Sequence, residues 1–147
     1  MSVLKIKRLR EGAQLPKRET PGSAGHDRRA CIDSDLLIPA GESVRVPTGL
    51  AIEMESANFV AIIAARSSMA AKYGITMGNG IGVIDSDYRG EISILLRNCS
   101  QEDFMVHPGD RVAQLLLMPV DLPEIVEAEE LSQTQRGEGG FGSTGRS

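Results

Sequence analysis

The sequence has little cysteine, no excess of basic residues and no long apolar run. Cys31 and Cys99 lie far apart without the spacing of metal ligands, so we interpret them as reduced thiols in a cytoplasmic protein, or a nuclear one if the source is eukaryotic. A net charge of −4 argues against general electrostatic binding to duplex nucleic acid. The apolar run from Val112 to Val120 is too short for a membrane span, and the N-terminus carries no apolar run typical of secretory signals.

What the sequence does contain favours one globular domain rich in turns. It is 41% hydrophobic and 24% charged over 147 residues, with 16 glycines and 7 prolines. Turn signals separate short apolar segments at intervals of roughly ten residues, which predicts an all-β sandwich or barrel. Apolar alternation predicts strands with one buried face at Val3–Lys7, Glu42–Val46 and Glu91–Leu96. Two nearly continuous apolar runs, Phe59–Ala64 and Val112–Leu117, predict strands buried on both faces.

One short helix is predicted at Ser67–Tyr73. Ser67 or Ser68 can cap its N-terminus, and Gly74 suits a left-handed stop. After residue 130 the sequence has few apolar residues and ends in a glycine-rich segment that cannot form a hydrophobic core of its own. We therefore divide the chain into a folded domain at 1–130 and a mobile tail at 131–147, with Phe141 an unusual residue for a simple linker.

The segment Gly78–Ile92 carries the chemistry of a nucleotide pocket. It places a glycine-broken turn, the carboxylate of Asp85 and the ring of Tyr88 within a strand-like pattern. Glycine allows close approach to a base, a carboxylate can orient water, and a tyrosine ring can form a wall beside a sugar. The alternative is an ordinary hairpin in which Asp85-Ser86-Asp87 initiates a turn.

Five segments, in this order, resemble the motifs of the trimeric deoxyuridine triphosphatase (dUTPase) family. They are Ala24–Asp27, Ala65–Ser68, Asn79–Gly90, Gly109–Gln114 and the glycine-rich tail. The resemblance implies a jelly-roll-like β-barrel, a homotrimer with shared sites, magnesium as cofactor, and hydrolysis of dUTP to dUMP and pyrophosphate.

The resemblance also implies roles for the third motif. Asp85 would activate the water that attacks the α-phosphorus, and Tyr88 would exclude a ribose hydroxyl by lying against the deoxyribose. Asn79 and the backbone as far as Gly82 would read the uracil edge, with the neighbouring Val83 and Ile84 also in the substrate site.

The other motifs would hold phosphate and metal. Phe141 would fold over the base, and Asp27 would reach magnesium through water. The remaining residues implied to bind substrate, mainly its phosphates, are Arg66, Ser67, Ser68, Gln114, Arg136, Gly142, Ser143 and Thr144.

Departures from the family pattern leave two alternatives open. Arg28 stands where the family usually has leucine, and His26 and Ser68 also differ from the pattern. Arg28 alone favours one alternative, a dUTPase-like trimer that only binds nucleotide or a partner protein. A related dCTP deaminase is the other, but the position of its proton-shuttling glutamate is Leu95 here, which cannot move protons.

Overall fold

The computed structural model describes residues 2–145 and confirms the all-β prediction. Eleven strands and one helix occur in that range. They are β1 Leu4–Arg8, β2 His26–Arg29, β3 Leu36–Ile38, β4 Ser43–Pro47, β5 Leu50–Met54, β6 Phe59–Ala64, α1 Ser67–Tyr73, β7 Ile75–Met77, β8 Gly82–Ile84, β9 Ser93–Asn98, β10 Phe104–Val106 and β11 Arg111–Pro119.

Two larger sheets enclose the core. One has the order β2-β11-β6-β8 and the other β4-β9-β7, while β1-β5 and β3-β10 form two-stranded sheets; all the pairs are antiparallel. Leu115 and Ile63 lie opposite each other and are buried, whereas Ile62 and Leu116 on the other face are half-buried. In the single chain β6 and β11 therefore bury one face fully and the other only in part.

Strand β2 is the element that periodicity misses most clearly. Its sequence, His26-Asp27-Arg28-Arg29, is entirely polar, yet it pairs with β11 across a bulge near Val112. Directly opposed residues share a face, so His26 and Arg28 point inward beside Leu115 and Ala113, while Asp27 and Gln114 share the outer face.

The turn at Asn79-Gly80 does not join the two strands of a hairpin. Gly80 has φ +74 and its amide bonds to Met77, so a turn is present. However, β7 pairs with β9 and β8 pairs with β6, so the turn carries the chain from one sheet to the other. Tyr88 likewise lies in the loop before β9 and not within a strand.

Helix α1 begins and ends where predicted, but its cap differs. Arg66 is the N-cap residue, with extended φ −84 and ψ 133, and its carbonyl accepts the amides of Met69 and Ala70 at 3.1 and 3.2 Å. The serine cap is therefore wrong, since Ser67 is already the first helical residue and no side chain bonds the free amides. Gly74 takes the predicted left-handed conformation at φ 65.

Arg28 is a buried cation at 0% exposure. Its Nη1 donates to the Asp27 carbonyl at 3.2 Å, while its Nε and Nη2 have no partner among residues 2–145. Burial lowers the pKa of Arg28 to about 10, against a smaller raising effect of Asp27. His26, on the same face, also has a buried Nδ1 without a partner in the described residues. This polar pair inside the barrel is an unfavourable local arrangement.

The two histidines are expected to give opposite pH dependences of stability. Burial, with added repulsion from Arg28 and Arg18, lowers the pKa of His26, so the unfolded chain binds its proton more readily and stability falls as pH drops below about 6.5. The hydrogen bond to Asp35 raises the pKa of His107, so its contribution is full below about 6.5 and is lost as pH rises through the folded value.

Thermal midpoints measured between pH 5 and 8 check this expectation. His26→Gln should flatten the loss of stability on acidification, and His107→Gln should steepen it. Equal slopes for the parent and both variants would contradict the assignment.

Regular structure ends at Pro119 in the described range. The Val120 amide bonds to the Asn58 carbonyl at 2.9 Å, and the backbone hydrogen bonds that follow are local turns within 136–145. Among residues 2–145, no helix is long and apolar enough to cross a membrane. The predicted boundary at residue 130 thus falls in an exposed segment without helix or strand.

Candidate functional site

A cleft of about 470 Å³ opens beside Asp85 and Tyr88. It lies where the loop after β8 returns to the start of β9. Its lining residues are Arg45, Val83, Ile84, Asp85, Tyr88, Glu91, Ile92 and Ser93. The structure therefore brings together four of the residues predicted from the third motif, namely Val83, Ile84, Asp85 and Tyr88.

Asp85 follows directly after β8 and carries an exposed carboxylate. Its carbonyl accepts the Tyr88 amide at 3.2 Å, which closes a turn through Ser86 and Asp87. Its carboxylate has no hydrogen-bond or ion-pair partner within residues 2–145. The turn is thus real, and it leaves the carboxylate available to a water or a ligand.

Tyr88 is held over the backbone of its own loop. Its hydroxyl donates to the Glu91 carbonyl at 3.0 Å, and 45% of the residue remains exposed. A Cβ at Gly90 would clash with the Tyr88 hydroxyl and lie 3.0 Å from Cε2, so only glycine lets the ring lie there. The ring therefore lies close to Gly90 while about half of the residue remains accessible.

Asn79 and Gly82 do not line this cleft. Asn79 is exposed in the turn before β8, and no side-chain hydrogen bond involves it within the described residues. Gly82 is buried opposite Ile63, and a Cβ there would lie 3.0 Å from the Ile63 Cβ. Close packing against β6 therefore explains this glycine, and its role with a base remains a prediction.

A second polar cluster lies on the outer face where β2, β6 and β11 meet. The two Asp27 carboxylate oxygens each lie 3.3 Å from a guanidinium nitrogen, one from Arg66 and the other from Arg111. Arg111 also pairs with Glu19 at 2.6 Å. The hydrogen bond to Asp27 is the largest of the effects that raise the pKa of Arg111. Asp27 thus orients two permanently charged arginines.

Gln114 completes this cluster. Its Nε2 donates to the Ala65 carbonyl at 3.0 Å, beside the start of α1. A Cβ at Gly25 would clash with the Gln114 Oε1, so glycine at 25 leaves space for the amide. Ser67 and Ser68 are exposed next to it at the N-terminus of α1.

The predicted tail residues lie apart from both groups. The Arg136 Nε donates to the Gly139 carbonyl at 2.7 Å, and local turns run through Ser143 and Gly145. Phe141 is fully exposed with φ 49, a left-handed value that is rare for a bulky residue. Gly142, Ser143 and Thr144 are also exposed, and none of these residues lines the cleft beside Asp85.

Sequence reasoning missed six residues of these groups. The cleft also contains Arg45, Glu91, Ile92 and Ser93, and the outer cluster contains Arg111 and Glu19. Arg45 lies opposite Leu95 on β9, so strand register was needed to place it near Asp85. Arg111 stood inside the fourth motif, and its position three residues before Gln114 was an available signal.

The arrangement matches one known family. The dUTPase family pattern covers residues 11–145. The chain belongs to the dUTPase family. It is 48% identical to the deoxyuridine 5'-triphosphate nucleotidohydrolase of Desulfitobacterium hafniense strain DCB-2 over 99% of both chains, and 47% identical to that of Polynucleobacter asymbioticus, again over 99% of both.

Solved structures confirm the jelly-roll fold. A variant of the Staphylococcus bacteriophage 80alpha dUTPase with dUpNHpp superposes with a TM-score of 0.89 at 24% identity, covering 98% of this chain and 99% of that one. A variant of the phage phi11 dUTPase, described with a structural Mg(II) ion, gives 0.80 at 21% identity over 89% of this chain and 99% of the other.

Proposed function

We propose that the chain hydrolyses dUTP to dUMP and pyrophosphate. The observation that supports this most is the free carboxylate of Asp85, which lies on a nucleotide-sized cleft together with the ring of Tyr88. The relatives named as deoxyuridine 5'-triphosphate nucleotidohydrolases support the same substrate.

Asp85 acts in this proposal as the general base. Its carboxylate accepts a proton from a bound water while the water oxygen forms a bond to the α-phosphorus. The bond from that phosphorus to the bridging oxygen breaks, and pyrophosphate leaves. Positioned base catalysis of this kind contributes about 10²–10⁴-fold in rate.

Tyr88 and the segment from Asn79 to Ile84 select the nucleotide. The packed ring of Tyr88 forms a wall that has no space for a ribose hydroxyl. Asn79 can offer both a donor and an acceptor to the imide edge of uracil, and cytosine presents the opposite polarity.

The outer cluster is suited to the triphosphate. Arg66 and Arg111 present guanidinium groups that Asp27 holds in place, and phosphate oxygens match that fork geometry. Ser67, Ser68 and Gln114 supply neutral donors beside them. The tail residues Arg136, Phe141, Gly142, Ser143 and Thr144 close over the bound nucleotide in this proposal.

The site is completed by a homotrimer. The Asp85 cleft, the outer cluster and the tail form three separate groups in one chain, so neighbouring copies would bring them together. Apolar residues that are exposed in the single chain support this assembly, because a copy packed on them would bury them. They include Val83, Met118, Leu122, Ile125, Val126 and Leu131.

Magnesium would be carried mainly by the substrate phosphates. No group of three or more His, Cys, Asp or Glu side chains within residues 2–145 is arranged to hold a metal. Both Asp27 oxygens face arginines, so this carboxylate fits contact through water and not direct ligation. The ion would supply neutralisation of phosphate charge.

An assay of the purified full-length chain tests the proposal. With magnesium, dUTP should release pyrophosphate much faster than UTP or dCTP, and EDTA should abolish the release. Tight dUTP binding without pyrophosphate release would support the binding-only alternative. Ammonia release from dCTP would support the deaminase, which Leu95 disfavours because its apolar side chain cannot move protons.

A further inference from the structure

Glu91 links the Tyr88 loop to two distant segments. Its Oε1 accepts the Gly49 amide at 2.7 Å and the Arg10 Nη2 at 2.6 Å. Its own carbonyl accepts the Tyr88 hydroxyl at 3.0 Å. Glu91 therefore connects the Tyr88 ring to the residue just before β5 and to the segment that follows β1.

The links around Glu91 are anchored in the folded body. Ile92 donates its amide to the Leu50 carbonyl at 2.8 Å, and its carbonyl accepts the buried Thr48 hydroxyl at 2.6 Å. Arg10 also donates to the Cys31 carbonyl at 3.3 Å. The carboxylate is half-buried, and a charged acceptor makes stronger hydrogen bonds than a neutral one. The Glu91 carbonyl is thus fixed from both sides.

We propose that Glu91 is a positioning residue for sugar discrimination, acting through Tyr88. By binding Gly49 and Arg10 it fixes the carbonyl that holds the Tyr88 hydroxyl, and so sets the distance between the ring and the sugar. This inference depends on the proposed function, in which Tyr88 excludes the ribose hydroxyl.

A rigid support is needed because the discrimination is steric. A hydroxyl is a small group, and a pocket that yields rejects an added hydroxyl by only about 10²-fold. A ring that can move away from the sugar by about 1 Å would admit it. The ring lies against Gly90 and is 45% exposed, and the hydrogen bond from its hydroxyl to the Glu91 carbonyl holds its tip in place.

The test compares kcat/KM for dUTP and UTP in the full-length protein. Glu91→Ala should reduce the preference for dUTP about tenfold, mainly through faster UTP hydrolysis. Glu91→Gln retains an acceptor for Gly49 and should recover most of the preference. Tyr88→Phe, which removes only the hydroxyl, should reproduce the effect of Glu91→Ala. Glu53→Ala breaks a comparable pair with Lys5 at 2.8 Å away from the cleft and should change nothing.

A second measurement follows the ring directly. The sequence has no tryptophan and two tyrosines, so Tyr88 is the single fluorescent tyrosine in a Tyr73→Phe background. Glu91→Ala in that background should change the iodide quenching of Tyr88, and Glu53→Ala should not. An unchanged dUTP preference in folded Glu91→Ala, or unchanged quenching, would refute the proposal. Absence of dUTP hydrolysis by the parent would instead refute the proposed function, with the quenching result still informative about the ring.

Discussion

Replacing Asp85 by asparagine is expected to lower kcat for dUTP hydrolysis by about 10²–10⁴-fold. The amide has nearly the same shape but cannot accept the proton of the attacking water. Folding should be unaffected because the side chain is exposed and has no hydrogen-bond partner within residues 2–145. Single-turnover pyrophosphate release and thermal melting of the same preparation measure the two effects separately.

Asp87→Asn is the matched control for this experiment. Asp87 belongs to the same turn but does not line the cleft beside Tyr88. Its replacement should change kcat by less than about threefold, because it removes only a charge that lies outside the cleft. If both variants lost activity equally, the loop's charge and not a positioned base would explain the result. Full activity of Asp85→Asn would rule out the proposed mechanism.

Replacing Arg28 by leucine is expected to stabilise the protein by about 3 kcal/mol. A pKa of about 10, against an ordinary 12.5, corresponds to about 3 kcal/mol of free energy by which burial disfavours the charged form. Two guanidinium nitrogens have no partner within the described residues to offset this loss of hydration. Leucine also packs readily beside Ala113 and Leu115 on the inner face. For a chain of this size the thermal midpoint should rise by roughly 6–12 °C.

Two neighbouring variants give this measurement its controls. Arg28→Lys keeps a buried charge and should bring no gain. Arg29→Leu removes a cation from the next position, where Nη1 donates to the Gly109 carbonyl at 2.9 Å, and should lower the midpoint slightly. Melting should be compared at one protein concentration, because the midpoint of an oligomer depends on concentration. A midpoint for Arg28→Leu at or below that of the parent would show that the buried cation has a stabilising partner.

Periodicity predicted the elements whose burial follows a regular pattern. Strand β6 and helix α1 have the bounds expected from the sequence, because apolar runs and a terminal glycine mark them clearly. Strand β2 was missed because its residues are polar and its pairing with β11 is decided by tertiary contacts. The strands joined by the Asn79-Gly80 turn could not be paired from sequence, since local turn chemistry does not show which strand pairs with which.

The candidate site was predictable where residues are close in sequence. Asp85 and Tyr88 lie in one loop, so a single motif placed both. Arg45 could not be placed, because it reaches the cleft through the register of β4 with β9. The tail residues also could not be placed relative to the cleft, because no pattern in the sequence links them to the residues that line it.

The contact of Gly82 with Ile63 joins the interior of the barrel to the nucleotide segment. Because β8 rests on that isoleucine, the depth of the whole Gly82–Ile84 strand depends on a fully buried side chain of β6. Directed evolution that repacks the hydrophobic interior for heat resistance would therefore also shift substrate affinity. Ile63→Val and Ile63→Leu are natural starting points for separating the two traits.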